Sequence, residues 1–258
     1  YRPLCPERIK LTGQGNWDPS PFLSDALWLA YQEPESIRWR SEPIGEDVPD
    51  LSKESYADVL GLARVWDARG LLFICEPKKV KSSTAFMRFF NCYKSEEKDR
   101  LIGDRRARNQ IEGAIPGASK ALPPATLLAQ LEVDPRLHTL SISISDRKDF
   151  YHQFHVSDQR ALSNICFPAL MVKDLEGTSA LAKVSEAARG PKRYDRLLHG
   201  DRLGHEKASK HEGVHVALEE GKCFACFGSL PQGDHLGDRK STRLNSSHVK
   251  RSRRPSSA

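Results

Sequence analysis

The chain has 258 residues, 38% of them hydrophobic, and a mean hydropathy of −0.56, a balance that suits water-facing domains around a modest core. No run approaches the roughly 18 to 20 apolar residues of a membrane span, and YRPLCPERIK lacks the apolar stretch of a signal peptide, so an intracellular protein without membrane contact, cytoplasmic or nuclear, is expected. The charge of +6 invites a nucleic-acid partner, but residues 238–258 hold seven Lys or Arg against one Asp, leaving 33 bases and 33 acids from totals of 40 and 34 for the rest.

The chain starts at Tyr1 rather than Met, which suggests an incomplete reading frame. Residues 1–49, rich in Pro, Trp and acids, lack a sustained apolar period and read as a poorly ordered lead-in with one helix candidate at 22–31. From residue 50 the pattern sharpens: Leu51, Val59, Leu60, Ala63 and Trp66 recur at three-to-four spacing. Asp50 or Ser52 can cap that helix, and Gly70 can end it in a left-handed conformation. LLFIC, residues 71–75, reads as a buried strand.

Residues 85–93 and 100–103 bracket the polar KSEEKD, a hairpin whose tip presents Lys94, Lys98 and Arg100. After a Gly/Pro/Ser-rich connection, 125–131 reads as a short helix and 139–144 alternates as a strand running into DRKDF, with a helix from about Phe150. Residues 172–222, rich in Lys, Arg, Glu, Ala, Gly and His and poor in aromatics, read as an inserted, mobile segment able to bury little apolar surface. Residues 223–237 close with a strand and a tight turn, CFACFGSLPQG. The six cysteines are scattered with no secretory signal and are expected as reduced thiols.

Three segments, in order, carry a resemblance. RLIGDRRARN resembles the fingers motif of reverse transcriptases, in which an Arg, an Asp, a second Arg and an Asn recur at these intervals, here Arg100, Asp104, Arg106 and Asn109. LPPATLLAQL followed by SISISDRKDFYHQFHV resembles the linker helix and first catalytic palm motif of long-terminal-repeat retroelements, and LPQGD resembles the second palm motif. The resemblance implies an α+β fold, the fingers and partial palm of a right-hand polymerase, with mixed helices and short antiparallel sheets over 50–171 and 223–237. It also implies an RNA-directed DNA polymerase that adds dNTPs to a primer on an RNA or DNA template by a two-metal mechanism with Mg2+.

The roles follow motif by motif. Asp146 matches the first metal-binding catalytic Asp at a strand end, and Asp149 matches the turn whose backbone amides touch the triphosphate. Tyr151 matches the aromatic residue whose bulk excludes a ribose 2′-hydroxyl, which implies deoxynucleotide use. Lys94 and Arg100 would clamp the triphosphate, Arg being suited to bidentate phosphate contact. Gln232, with Gly233 permitting close backbone approach, would contact the sugar and base-pair edge of the nucleotide.

The chain also departs from the family pattern. Asp146 and Gln232 are 86 residues apart, longer than in compact members, and the paired aspartates that complete the metal site should follow Gly237. There, DRKSTRLNSSH resembles the translation of a sequencing-library adapter, so 238–258 is expected to be an artefactual, disordered tail and the chain as given unable to polymerise. Two other readings stay open. A degenerate retroelement remnant is one; the other is a non-catalytic nucleic-acid- or zinc-binding module, zinc resting on His211, His215, Cys223 and Cys226, although Cys223 and Cys226 read better as strand residues. His152 and His155 read as core or solvated side chains.

Overall fold

The structure, a computed structural model, describes residues 2–41, 43, 51, 54–113, 148–188 and 221–232, with single positions 126, 130, 132, 134 and 136. In chain order its elements are α1 (Asp25–Gln32), α2 (Tyr56–Asp67), β1 (Leu72–Cys75), β2 (Phe86–Tyr93), β3 (Asp99–Asp104), α3 (Arg106–Ile111), α4 (Asp158–Ala161), β4 (Ile165–Cys166), β5 (Leu170–Met171), α5 (Ser179–Ala188) and β6 (Lys222–Phe227). The class is mixed α+β, as expected. One sheet runs in the order β1-β6-β4-β2-β3, with β5 also pairing to β6. β2 and β4 pair in parallel, Phe86 opposite Ile165 and Met87 opposite Cys166, so the sheet is mixed where antiparallel pairing alone was expected.

The α2 sequence folds as its period dictates. Val59, Leu62, Ala63 and Trp66 fall on one buried stripe, and Trp66 sits between Phe89 and Phe227 with both ring centroids at 4.9 Å. The cap is Ser55, whose hydroxyl accepts the Asp58 N–H, rather than Asp50 or Ser52. Gly70 closes the helix at φ +69, and the Leu71 amide reaches back to the Trp66 carbonyl at 2.9 Å.

Alternation along β6 divides the core. Cys223, Ala225 and Phe227 face a cluster with α2, Met87, Phe89 and Leu101; Phe224 and Cys226 face a second with Tyr31, Cys75, Val156, Ala161 and Leu230.

Two stretches expected to pack poorly contribute to the first cluster. From the lead-in, Leu4, Ile9 and Leu11 are buried there, and Arg2 and Ile9 form bridges to Asn91 of β2 and Asp99 of β3. The physical reason is that strand edges present unpaired amides and carbonyls, and a Pro/Gly-rich segment with isolated apolar residues can satisfy them without any period of its own. From the segment read as an insertion, Leu175 and Ala180 are buried and Val172, Leu181 and Val184 pack beside them. The Asp67 carboxylate receives the Ser179 amide at 3.0 Å, the Ser179 hydroxyl at 2.8 Å and the Ala180 amide at 2.9 Å, tying α5 to α2. The remainder of that segment through residue 220, the strand expected at 139–144, most of 125–131, and the 238–258 tail lie outside the described residues.

The helix expected from Phe150 is a single 3-10 turn, Phe150–Gln153, followed by extended Phe154. Parallel pairing with the lead-in straightens the chain there: Trp17 N–H donates to Gln153 O at 2.8 Å and His155 N–H to Trp17 O at 2.9 Å. Among the described residues no helix is long and apolar enough to cross a membrane.

Candidate functional site

The β2–β3 hairpin forms one wall. Asn91, on β2 opposite Leu101, is fully buried and donates to the Asp99 carboxylate at 3.2 Å, while Arg8 binds Asp99 at 2.9 Å and the Ser95 and Glu96 carbonyls at 3.0 and 2.9 Å. These bonds fix the tip from below. The Arg8 guanidinium beside Asp99 holds that carboxyl below its usual value against the opposing effect of desolvation. Lys94 and Arg100 both remain exposed. Arg100 stands opposite Cys92, so it lies on the face that also carries Phe90, Arg88 and Phe86. Phe86 and Tyr151 both pack against the second core cluster.

Beyond β3 the fingers-like motif splits into two kinds of residue. Asp104 and Arg106 form a surface pair, with guanidinium-to-carboxylate contacts of 2.9 and 2.8 Å, and Asn109 is a partly exposed member of α3 whose amide bonds the Arg105 carbonyl at 2.7 Å. The buried residues lie between them. Arg105, 1% exposed, meets both Glu112 oxygens at 3.0 Å and also donates to Ser163 and Asn164. Arg108 binds the same Glu112 and reaches Glu35 at 2.8 Å. Two guanidiniums on one buried carboxylate orient α3 against the α4–β4 turn. Arg105 and Arg108 fall between the motif positions and Glu112 beyond them; in the sequence, the i,i+4 spacing of Arg108 and Glu112 is the available signal.

The second wall is the turn at Asp149. Its backbone is left-handed, φ 47 and ψ 41, an uncommon conformation for a residue with a side chain. Its carboxylate accepts the Thr12 amide at 2.7 Å and the Thr12 hydroxyl at 2.6 Å. Partial burial pushes the Asp149 carboxyl upward, but Thr12, with His152 and Lys94 nearby, outweighs that and holds it below the ordinary value. His152 is buried edge-on against Phe227 at 5.5 Å, and neither ring nitrogen has a hydrogen-bond partner. Burial drives its pKa down to about 4, with Asp149 opposing and Lys94 assisting, so the imidazole is neutral at physiological pH. His155 is exposed.

The third wall follows β6. Ser229, fully buried, donates from Oγ towards the Tyr151 carbonyl at 3.0 Å and the Phe154 carbonyl at 2.7 Å. Two residues on, Pro231 packs against Gly103, where a Cβ would come within 3.0 Å of the proline Cβ, and the Gly103 amide donates to the Gln232 carbonyl at 3.0 Å. Hairpin, Asp149–Tyr151 turn and LPQ turn are thus joined by direct hydrogen bonds, with Lys94 electrostatically coupled to Asp149 and His152. Asp146 and Gly233 lie outside the described residues, so the placement of Arg100 relative to Asp146 does too.

Among the described residues no group of three His, Cys, Asp or Glu side chains could hold a metal ion. Of the two Asp149 oxygens, the one that Thr12 binds is already committed to two donors. Cys223 and Cys226 are buried strand residues; burial pushes the Cys223 thiol up to about 12 and Cys226 upward as well, opposite to what a zinc thiolate needs. His211 and His215 lie outside the described residues. Comparison of the chain with protein-family models, with curated proteins and with solved structures finds no match.

Proposed function

We propose that this chain carries the fingers and part of the palm of an RNA-directed DNA polymerase of the retroelement kind, acting on dNTPs and a template-primer. One observation carries the reading: three segments far apart in sequence, each resembling a polymerase motif, meet at one place through the Gly103–Gln232 and Ser229–Tyr151 hydrogen bonds.

In this reading the exposed guanidinium of Arg100 offers the planar fork that suits phosphate oxygens, and Lys94 adds a point charge from the hairpin tip. The Tyr151 ring stands against the sugar, and Gln232, its carbonyl fixed by Gly103, turns its side chain to the nucleotide edge. Two magnesium ions, held in part by Asp146, would neutralise charge on the attacking and departing oxygens. The residues here supply one carboxylate of that cage.

The test is primer extension on an RNA template with magnesium, using residues 1–237 alone and the same residues continued by the natural downstream sequence. The chain alone should not extend. The continued form should, and Asp146→Ala should abolish it. No extension by the continued form, or extension indifferent to Asp146→Ala, would overturn the proposal, whereas robust extension by the shorter chain that Asp146→Ala abolishes would refute only the incompleteness of its metal cage.

A further inference from the structure

Thr12 lies 137 residues from Asp149 in sequence, yet its amide and hydroxyl converge on the same carboxylate oxygen at 2.7 and 2.6 Å. Nothing in the motif resemblance assigns a task to residues 11–17. In the structure they form a strap along the turn that carries Tyr151. Gly15 N–H donates to His152 O at 2.9 Å, Trp17 N–H to Gln153 O at 2.8 Å, and His155 N–H returns to Trp17 O at 2.9 Å. Trp17 meets the Phe154 ring edge-on at 4.7 Å. Gly13 makes the close approach possible, since a Cβ there would lie 2.5 Å from the carbonyl carbon and oxygen of His152.

We infer that Thr12 is a positioning residue for the nucleotide site, fixing the left-handed Asp149 turn and thereby the place of the Tyr151 ring. Asp149 is the one non-glycine residue with positive φ among those described. A side-chain-bearing residue holds that conformation only where its surroundings over-determine it. Here the surroundings are Thr12 on one side and, on the other, Ser229 holding the Tyr151 carbonyl at 3.0 Å. Between these two anchors the chain has little freedom, so the direction in which Tyr151 leaves the backbone is set by the clamp. A ring that discriminates a 2′-hydroxyl by bulk is sensitive to such placement: a shift of about 1 Å caused by a distant substitution can change a rate or affinity ~100-fold.

This inference rests on the polymerase reading, and the experiment separates the two. The full 258-residue chain is titrated with 2-aminopurine deoxyribonucleoside triphosphate and with its ribonucleoside counterpart, in magnesium, reading probe fluorescence. Wild type and Thr12→Ser should favour the deoxy form. Thr12→Val, which keeps shape and backbone amide but removes the hydroxyl, should lower that preference at least about ten-fold, towards the floor set by Tyr151→Ala. Asp149→Gly, which removes the accepting oxygen while tolerating the positive φ, provides a second route to the same loss should Thr12→Val fold poorly. A merely structural threonine predicts a lower melting temperature with the sugar preference intact, and that result in both variants would overturn the inference while leaving the polymerase reading in place. Wild type that binds neither nucleotide would overturn the polymerase reading and the positioning role together. Amide exchange at Phe150–Gln153, faster in Thr12→Val, would then still register the clamp as a fold contact alone.

Discussion

Replacing His152 with Leu should flatten the acid side of the stability curve. The imidazole is buried against Phe227 with both nitrogens unpartnered, and its pKa falls from 6.5 to about 4. Between those two values the unfolded chain binds a proton that the folded chain refuses, so stability is whole above the unfolded value and is lost as pH falls. The difference of about 2.5 units corresponds to roughly 3 kcal/mol by pH 4. Leu carries no proton and should remove that loss while keeping the apolar contact with Phe227. Asp149 and Asp99, both held below their ordinary value of 3.8, act in the same direction but in a lower window. The assay is urea unfolding by tryptophan fluorescence from about pH 7 to about pH 4.5, comparing wild type with His152→Leu. The two curves should diverge by about 2 to 3 kcal/mol across that range. Parallel curves would refute the account of a neutral, buried imidazole.

The buried ion network gives a second expectation. Glu112→Gln leaves Arg105 and Arg108 packed around a neutral amide and should destabilise by about 3–5 kcal/mol in urea unfolding, whereas exchanging Arg105, Arg108 and Glu112 together for apolar residues of similar volume should recover most of it. An effect of Glu112→Gln below about 1 kcal/mol would mean that the network is open to water. Gly13→Ala should cost more than an ordinary glycine replacement, since its Cβ would fall 2.5 Å from the His152 peptide, and should speed amide exchange at Gly15 and Trp17; unchanged melting and exchange would show that the strap does not lie against the turn as described. The extension assay with Asp146→Ala, given above, tests the polymerase reading directly.

The α2 helix and the β2–β3 hairpin were legible because their signals are local. A three-to-four apolar period places Val59, Ala63 and Trp66 on one side, and alternation about a polar KSEEKD tip writes the hairpin into adjacent residues. The lead-in was not legible, because Leu4, Ile9 and Leu11 have no period and are buried only once strands nearly a hundred residues later offer their edges. Phe150–Gln153 misled for a related reason: its local pattern favours a helix, and pairing with Gly15 and Trp17 overrides it. In the candidate site, the exposed Lys94 and Arg100 could be named from motif position. The residues that hold the site together, Thr12, Arg105, Glu112 and Ser229, could not, since each acts through a partner 7 to 137 residues away.

The strap has a consequence for the order in which the molecule can be made. Residues 2–17 leave the ribosome before their partners, Asn91, Asp99, Asp149 and Phe154, which emerge only after up to 137 further residues have been added. At a synthesis rate of about 5–20 residues per second, that is a wait of several seconds to half a minute. Throughout it, Thr12, Gly15 and Trp17 lack the backbone and carboxylate partners they bind in the finished fold. The segment 11–17 is therefore docked long after it is synthesised, and pulse-labelled chains arrested before residue 149 should leave it open to protease that finished chains resist.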